Sequence, residues 1–419
     1  MSARKTPGAK AKADTDIGGG AGGGGGAGAG AGASSMLVIA AIVMGGLNLR
    51  PSILSVPPLL PTLQATLGMS SSLAGMLTSL PVLLIGIASP LAYIACTRLT
   101  LARVVALAMI TLVAGIALRS LAAWSTAGGA TLFAGTVVMG LCLGLANALI
   151  PGIIKLLPVR THARASALLS LAICLGGAIA AGTAEPLSKL FSGHWEWALA
   201  VWAVPAIACA AMWWRLKLPI VTRSDARTFS LLNNPIAIAL SLHMALQSFL
   251  SHSTSSWLPS ILVARGMDPT QSGVLLSTMM AAQLATALAG AWIANLRRDQ
   301  GHAVTMMYVL ACVGFAGCVY GSEATRWSSA VLLGLGQGGT FSIGYFMLVL
   351  RAENAIIAAR LAAMTQLFGY GLAACGPWLF GVLRDRCGDW TFALPLFAVV
   401  TVMGITAGRY AGRPRIISA

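Results

Sequence analysis

Long apolar stretches with few charged residues follow one another from Met36 to the end of the sequence, and they constrain the fold more than any other feature. A helix that crosses a bilayer needs about 20 apolar residues, so this part of the chain has room for about twelve such helices with their connections. Strands of a membrane barrel would alternate polar and apolar residues instead. Only 9% of the 419 residues are charged, against about 25% in soluble domains. The sequence therefore predicts an all-α membrane protein with about twelve transmembrane helices.

Polar segments divide the chain into two helical halves and two tails. The first tail, 1–35, begins with basic residues, continues with Gly and Ala, and is expected to be a disordered cytoplasmic segment. The most polar interior stretch, 217–234, is expected to connect two six-helix halves on the cytoplasmic side. These halves are predicted at 36–216 and 235–411, with a short cytoplasmic tail at 412–419.

The distribution of Lys and Arg predicts the orientation in the membrane. Of the 27 basic residues, 20 fall in the tails and in alternate connections on one side, 6 including Arg119 fall on the opposite side, and Arg50 lies inside the first span. Since cytoplasmic connections are enriched in basic residues, both termini are expected in the cytoplasm of a plasma membrane, the inner membrane in a bacterium. A dispersed pattern of this kind also argues against nucleic acid as a partner.

A segment at the end of the first span and the start of the second recurs 198 residues later. Residues 60–79 align without gaps to residues 258–277, and seven of the twenty positions are identical. The identical pairs are Leu60/Leu258, Pro61/Pro259, Gly68/Gly266, Met69/Met267, Gly75/Gly273, Leu77/Leu275 and Ser79/Ser277. Two six-helix halves related by a parallel repeat are the organisation of major facilitator transporters, which the chain resembles in this respect.

Arg50 is the charged residue that the sequence places deepest in a span. It lies about 21 Å from Met36 along a helix, and an arginine within the hydrocarbon region costs about 2.5–3.5 kcal/mol. Pro51 and further prolines interrupt the helix directly after it, and irregular backbone at this depth is tolerated where it lines a cavity. We expect Arg50 to face a central cavity and to receive an anionic or strongly polar group. The alternative is that helix carbonyls hold the guanidinium or that it extends to the membrane surface.

Acidic residues are almost excluded from the spans. All eleven lie in the tail, in connections or near span ends, and Glu185 is the most nearly embedded. Because exporters of cations commonly need a buried acid, a cationic substrate is disfavoured. If transport is coupled to protons, Glu185, His243 or the substrate itself would carry them. The sequence contains no enzyme motif, nucleotide loop or paired metal-binding cysteines, so neither catalysis nor a cofactor is expected.

Motifs in both halves resemble the cyanate transporter and nitroimidazole transporter family of the major facilitator superfamily. They include NLRP at 48–51, GLANALIP at 144–151, GLGQGG at 334–339 and the stretch 358–377. The resemblance implies alternating access and transport of a small anion or a small polar heteroaromatic compound. It also implies a set of polar and aromatic residues that face the cavity: Asn48, Arg50, Asn147, Gln247, Trp257, Gln337, Gln366 and Tyr370.

These expectations describe a secondary active transporter in which Arg50 attracts the negative end of a small solute while amides and Tyr370 orient it. Its partners would be the lipid bilayer, the solute and, where transport is coupled, protons, and it is expected to act as a monomer. Two alternatives stay open. One is proton-linked efflux of a neutral drug, and the other is a membrane sensor or scaffold that transports nothing.

Overall fold

Helices account for most of the residues described in a computed structural model of the protein. The structure describes residues 25–96, 98–216, 218, 231–295, 299–353 and 355–417. Over these ranges the α-helices are α1 (Gly25–Asn48), α2 (Pro51–Leu54), α3 (Val56–Leu67), α4 (Ser71–Cys96), α5 (Leu101–Ser120), α6 (Gly128–Ile153), α7 (His162–Leu190), α8 (Trp195–Ala200), α9 (Ala203–Arg215), α10 (Pro235–Ala264), α11 (Pro269–Asn295), α12 (Gly301–Tyr320), α13 (Glu323–Arg351), α14 (Ala355–Cys387) and α15 (Ala393–Ala411). The predicted all-α fold is confirmed.

Eleven stretches of the described chain are long and apolar enough to cross a membrane. One of them, Ser35–Leu67, combines most of α1 with α2 and α3, and another combines α8 with α9. The remaining long helix, α10, has 30 residues and a more polar composition, but its His243, Gln247 and Thr254 are buried. Polar side chains are tolerated at membrane depth where neighbouring helices supply hydrogen-bond partners. With α10, the bundle has the twelve spans that the sequence predicts.

The first span is interrupted where Arg50 lies. α1 ends at Asn48, and α2 begins at Pro51 with Arg50 as its N-terminal cap. Pro51 has no backbone N–H, so the carbonyl of Leu47, one turn before it at the end of α1, loses its usual helical donor. The sequence therefore produces a break in mid-span, and this break presents the Arg50 side chain.

The first helix begins earlier than the sequence suggests. α1 starts at Gly25, within the expected tail 1–35, whereas the sequence places the start of the span at Met36. Extending an existing helix adds one backbone hydrogen bond per residue without a new nucleation step. The rest of the expected tail, 1–24, lies outside the described residues, and so does most of the expected connection 217–234.

The two turns that carry the sequence repeat have the same backbone conformation. Gly68, after α3, has a φ of 62°, and Gly266, after α10, has a φ of 83°. Both angles lie in the left-handed region that glycine adopts without a steric penalty. We call the end of the bundle that holds these two turns the closed end.

The halves pack against each other along two pairs of helices, α4 with α14 and α7 with α11. In the first pair, a Cβ on Gly75 would overlap the carbonyl oxygen of Pro377. In the second pair, a Cβ on Gly273 would lie 2.8 Å from the carbonyl oxygen of Ala181. Glycine is therefore needed at both contacts, because a larger residue would push the helices apart.

Two repeated serines bond across the same pairs of helices, one turn further along. Ser79 Oγ accepts a hydrogen bond from the backbone N–H of Trp378 at 3.0 Å. Ser277 Oγ donates to the carbonyl oxygen of Ala178 at 2.6 Å. The repeat found in the sequence thus marks two matching contacts between the halves.

Asp385 adds a polar link between the halves at the closed end. Its carboxylate accepts the backbone N–H groups of Ser71 at 2.8 Å and Ser72 at 2.7 Å. These groups belong to the first turn of α4, where helical N–H groups have no partner within the helix. A side chain of one half therefore caps a helix of the other half.

A second polar link at the closed end joins Lys189 of α7 to Asp268, which precedes α11. The Lys189 Nζ atom lies 3.7 Å from Asp268 Oδ2. Slight desolvation raises the pKa of Asp268, but hydrogen bonds from the N–H groups of Gln271 and Thr270 and the Lys189 ammonium lower it by more. The net effect is a pKa below the usual range, so the carboxylate stays ionised and keeps its pairing.

The C-terminal residues fold back on the second half. α15 ends at Ala411, and the expected tail 412–419 is described as far as Ile417, which is fully buried. Ile417 forms an isolated β-bridge with Ala352, and its N–H donates to the carbonyl oxygen of Arg351 at 2.6 Å. The buried Arg351 side chain also binds Gln300 and the carbonyl oxygens at the end of α15. The tail is thereby attached to the end of α13.

Candidate substrate site

The side chain of Arg50 is exposed although it lies inside a membrane span. Its Cβ lies 3.3 Å from the position that a Cβ on Gly177 of α7 would occupy. Its charge interacts electrostatically with His252 of α10 and Tyr345 of α13, both in the second half. The guanidinium therefore faces the interface of the halves. Within the described ranges its side chain has neither a hydrogen bond nor an ion pair, so its five N–H donors are available to a ligand.

A hydrogen bond between the halves lies close to Arg50. Asn147 Nδ2 of α6 donates to the hydroxyl of Tyr370 of α14 at 3.3 Å, and Tyr370 in turn interacts electrostatically with Tyr345. We call Arg50, Asn147, His252, Tyr345 and Tyr370 the Arg50 cluster. All five side chains are at least partly exposed, so the cluster is a polar surface shared by both halves.

The hydrogen bond of His252 determines what its ring offers to a ligand. His252 Nδ1 lies 2.8 Å from the carbonyl oxygen of Ser248. A carbonyl only accepts, so Nδ1 carries the proton, and in the neutral ring Nε2 is left as an acceptor. The cluster therefore combines a fixed positive charge with phenol, amide and imidazole groups that bind polar atoms.

Gln366 and Gln337, two of the predicted site residues, lie in different surroundings. Gln366 is exposed and lies one helical turn before Tyr370, on the same face of α14. Gln337 is buried: its Nε2 donates to Thr254 Oγ1 at 3.1 Å, and its Oε1 accepts from Gln283 Nε2 at 2.9 Å. Gln366 is thus able to extend the cluster, whereas Gln337 links three helices of the second half.

The structure places Asn48, Gln247 and Trp257 in contacts within a single half. Asn48 donates to the carbonyl oxygens of Met44 at 2.8 Å and Pro205 at 3.3 Å. Gln247 donates to the backbone of its own helix and to the hydroxyl of its neighbour Ser248. Trp257 Nε1 donates to the carbonyl oxygen of Pro377 at 2.7 Å. All three side chains are buried, and the structure does not bring them together with Arg50.

The two candidates for proton coupling also lie apart from the cluster. His243 is fully buried, with Nε2 3.2 Å from the carbonyl oxygen of Thr340 and Nδ1 3.3 Å from the hydroxyl of Tyr308. Glu185 is 8% exposed and interacts electrostatically with Lys189 and Asp268 at the closed end. Neither therefore contacts a solute bound at Arg50 in this conformation.

Three residues near the site are missing from the sequence-based candidates. His252 lies one turn after Ser248, the position that the 198-residue offset aligns with Arg50, so the repeat itself contains a signal for it. Tyr345 lies two turns after Gln337 and has no comparable signal. Arg119, which the charge count places on the side opposite the termini, lies inside α5, and 2% of it is exposed. Its burial among neighbouring helices is not evident from the charge count.

No group of three or more His, Cys, Asp or Glu residues that could hold a metal ion is found in the described part of the chain. The site is instead one fixed cation among neutral polar groups. Such a surface recognises a small solute through charge at one end and hydrogen bonds at the other. Planar anions suit a guanidinium especially well, because its fork of N–H donors matches their geometry.

Comparison with known proteins identifies the family. Residues 34–377 match the model of the Major Facilitator Superfamily. The 2-nitroimidazole transporter of Escherichia coli (strain K12) is 32% identical over 392 residues, which cover 91% of this chain and 97% of that protein. The cyanate transport protein CynX of the same strain is 30% identical over 376 residues, covering 88% and 96%.

A solved structure supports the same fold. The crystal structure of the D-xylose–proton symporter matches with a TM-score of 0.73 at 13% identity, covering 91% of this chain and 98% of that one. At this identity the likeness concerns the fold alone. With two six-helix halves, a polar site between them and relatives at 30–32% identity over most of the chain, the protein belongs to the major facilitator superfamily of membrane transporters, in the group of the nitroimidazole and cyanate transporters.

Proposed function

We propose that the protein is a secondary active transporter of a small anionic or small polar heteroaromatic solute, cyanate-like or nitroimidazole-like. The observation that carries this proposal is the exposed Arg50 guanidinium, which faces the second half and has no partner among the described residues. An arginine in the membrane costs about 2.5–3.5 kcal/mol even on the mildest scale. A bound anion offsets this cost. The names of the two bacterial relatives support the same class of solute.

The Arg50 cluster supports a specific binding arrangement. Arg50 binds the negative end of the solute, while the hydroxyl of Tyr370, the amide of Asn147 and the ring of His252 bind its polar atoms. Because Asn147 and Tyr370 come from different halves, a solute that joins their bond contacts both halves at once. Its binding energy is then available to shift the equilibrium between two arrangements of the halves, as alternating access requires.

The orientation is part of the proposal. The excess of Lys and Arg on the side of the termini supports a cytoplasmic location for both. The closed end then lies on the external side of the membrane. The solute reaches the site from the cytoplasmic side in this conformation. For a bacterial protein, the membrane is the inner membrane.

Proton coupling remains a separate prediction. Efflux of a neutral drug by proton exchange would need a titratable group beside the solute, and His252 satisfies this condition better than His243 or Glu185. A carboxylic or weakly acidic solute could instead carry the proton itself. Transport with an imposed pH gradient, in either direction, distinguishes a coupled from an uncoupled mechanism.

The first experiment combines ligand binding with flux. The purified protein is tested by thermal unfolding against cyanate, other small anions, nitroimidazoles and cationic drugs, and the solutes that stabilise it are then tested for uptake into proteoliposomes. A solute at a hundredfold excess over its Kd stabilises the folded state by about 2.7 kcal/mol. We expect this stabilisation from anions or nitroimidazoles.

Arg50→Gln provides the decisive comparison. Loss of a hydrogen bond to a charged group costs about 1.5–3 kcal/mol, so affinity for the solute should fall about ten- to hundredfold. Arg164→Gln is the matched control, because Arg164 is an exposed arginine at the start of α7. A folded Arg50→Gln protein with unchanged affinity, or stabilisation by cationic drugs alone, would contradict the proposal. Binding without flux would support the sensor alternative.

A further inference from the structure

Arg119 lies inside the membrane region but is not part of the Arg50 cluster. It is the penultimate residue of α5, and only 2% of it is exposed. Burying a guanidinium is costly unless it is paired. The ion pairs between described residues are Lys189 with Asp268 and His194 with Glu196, so Arg119 has no carboxylate partner in these parts of the chain. Another contact must therefore account for its position.

The strongest contact of Arg119 is with the backbone of the broken first span. Its Nη1 donates to the carbonyl oxygen of Ser52 at 2.7 Å, and Met139 Sδ lies 3.0 Å from the same nitrogen. Ser52 is the second residue of α2, the short helix that Arg50 caps. Arg119 is thus bonded to the backbone two residues after the side chain that we assign to solute binding.

The surrounding helices are shaped to hold this side chain. A Cβ on Gly135 of α6 would lie 2.6 Å from Arg119 Cγ and 2.7 Å from its backbone nitrogen. Gly115 of α5 lets the two helices approach closely here, because its own hypothetical Cβ would lie 3.0 Å from the backbone nitrogen of Met139. Gly135 therefore leaves the space for an arginine that a larger residue in α6 would exclude.

Arg119 is nevertheless imperfectly satisfied. Its Nε is buried and has no hydrogen-bond partner among the described residues. A leucine in this space would avoid the cost of burying a charge, so stability alone does not account for arginine here. What a leucine could not provide is the donor that Arg119 Nη1 gives to the Ser52 carbonyl.

We propose that Arg119 is a positioning residue, which fixes the break in the first span so that Arg50 projects toward the second half. The part of this inference that concerns transport rests on the proposed function. The part that concerns geometry does not, because the direction of the side chain at position 50 can be measured without any solute.

The test therefore begins with a chemical reporter at position 50. Arg50→Cys is introduced into a protein in which the exposed Cys375 and Cys387 are replaced by serine, and the rate of its modification by a charged thiol reagent is measured. Adding Arg119→Met should change this rate by about tenfold, because the reactivity of a cysteine depends on its exposure and on nearby charges, and both change when the side chain points elsewhere. A Gln366→Cys reporter in the second half should keep its rate.

Transport gives the second readout, in a protein that retains Arg50. Arg119→Met should raise KM at least about tenfold while the maximal rate stays within a fewfold, since a misplaced binding group weakens solute binding. Arg119→Lys restores a donor and should recover part of the loss. Met139→Leu is the matched control, because it removes the sulfur contact at nearly constant volume and keeps the bond to Ser52.

The outcomes separate the two proposals. If Arg119→Met is folded, as judged by its melting temperature, and both the modification rate and KM are unchanged, Arg119 does not position Arg50. If Arg119→Met does not fold, Arg119→Ala, which also lacks a donor for the Ser52 carbonyl and adds no bulk, undergoes the same modification assay, and an unchanged rate there overturns the inference. If the wild-type protein transports none of the solutes, the proposed function fails, but the modification assay still decides the role of Arg119.

Discussion

Arg50 and Arg119 both lie in membrane spans of the first half, and their surroundings suit them to different tasks. Arg119 is buried and bonded to a backbone carbonyl, whereas Arg50 is exposed and unbonded among the described residues. A buried guanidinium keeps its place because losing its acceptor would leave an unpaired charge in apolar surroundings. An exposed guanidinium pays no such penalty when it moves to meet a ligand. Arg119 is therefore suited to hold the chain and Arg50 to bind.

At the same scale, we expect His252→Phe to weaken binding of the solute. Phenylalanine keeps an aromatic ring at this position but lacks the Nε2 acceptor that the bond from Nδ1 to Ser248 leaves available. Loss of one hydrogen bond costs about 0.5–1.5 kcal/mol, so the Kd measured by thermal unfolding should rise about two- to tenfold. His302→Phe, at an exposed histidine near the start of α12, should keep the wild-type Kd. An unchanged Kd in His252→Phe would remove this residue from the binding arrangement.

Single residues also show where sequence reasoning stops. Asn48, Asn147 and Gln247 are all amides within apolar spans, and the sequence treats them alike. In the structure Asn147 bonds across the halves, while the other two bond within one half. The difference depends on the rotation of each helix about its axis, and these helices are too uniformly apolar for a polar face to reveal it.

At the scale of elements, the repeat is the part of the structure that the sequence predicts best. Gly75 and Gly273 are recognisable because close helix contacts tolerate only the smallest residue. Gly68 and Gly266 are recognisable because a left-handed turn favours glycine. The break after Arg50 is also predictable, since proline removes N–H donors. The burial of Arg119 is not, because it depends on a glycine in another helix, Gly135 of α6.

We expect Gly75→Ala to open the closed end. The added Cβ would overlap the carbonyl oxygen of Pro377, so α4 and α14 could no longer approach at this point. Nitroxide labels at Thr66→Cys and Gln271→Cys, in the protein without its two exposed cysteines, should move further apart in electron–electron distance measurements. Gly129→Ala is the control, because a Cβ there meets nothing within 4 Å. If both variants give the wild-type distance, this contact does not limit closure.

At the scale of the whole molecule, the closed end is a continuous apolar core as well as a set of polar links. The repeated leucines Leu60 and Leu77 of the first half and Leu258 and Leu275 of the second belong to one buried cluster. A separate cluster lies within the first half. Opening the closed end therefore means separating a shared core, while the first half keeps one of its own.

Asp385→Ala tests the equilibrium between the conformation in which the closed end is intact and the conformation in which it is open. Loss of a helix N-cap costs about 0.5–2 kcal/mol, so the population with the closed end intact should fall by about two- to thirtyfold relative to the open one. The labels at positions 66 and 271 report this shift. Asp389→Ala is the matched control, because that carboxylate bonds to Thr391 within its own half. Equal distance distributions in the two variants would show that the cap of α4 does not stabilise closure.

The matched pair of helix contacts has an evolutionary consequence. In one contact α4 meets α14, and in the other α11 meets α7, with Gly75 and Ser79 in the places of Gly273 and Ser277. The operation that superimposes one half on the other therefore also superimposes one contact on the other. An isologous interface between identical subunits has the same property, because both subunits use the same surface. A six-helix ancestor with one Gly-x-x-x-Ser segment would already have carried both sides of this interface. Gene duplication would then have fused a dimer that could close at one end before it became a single chain.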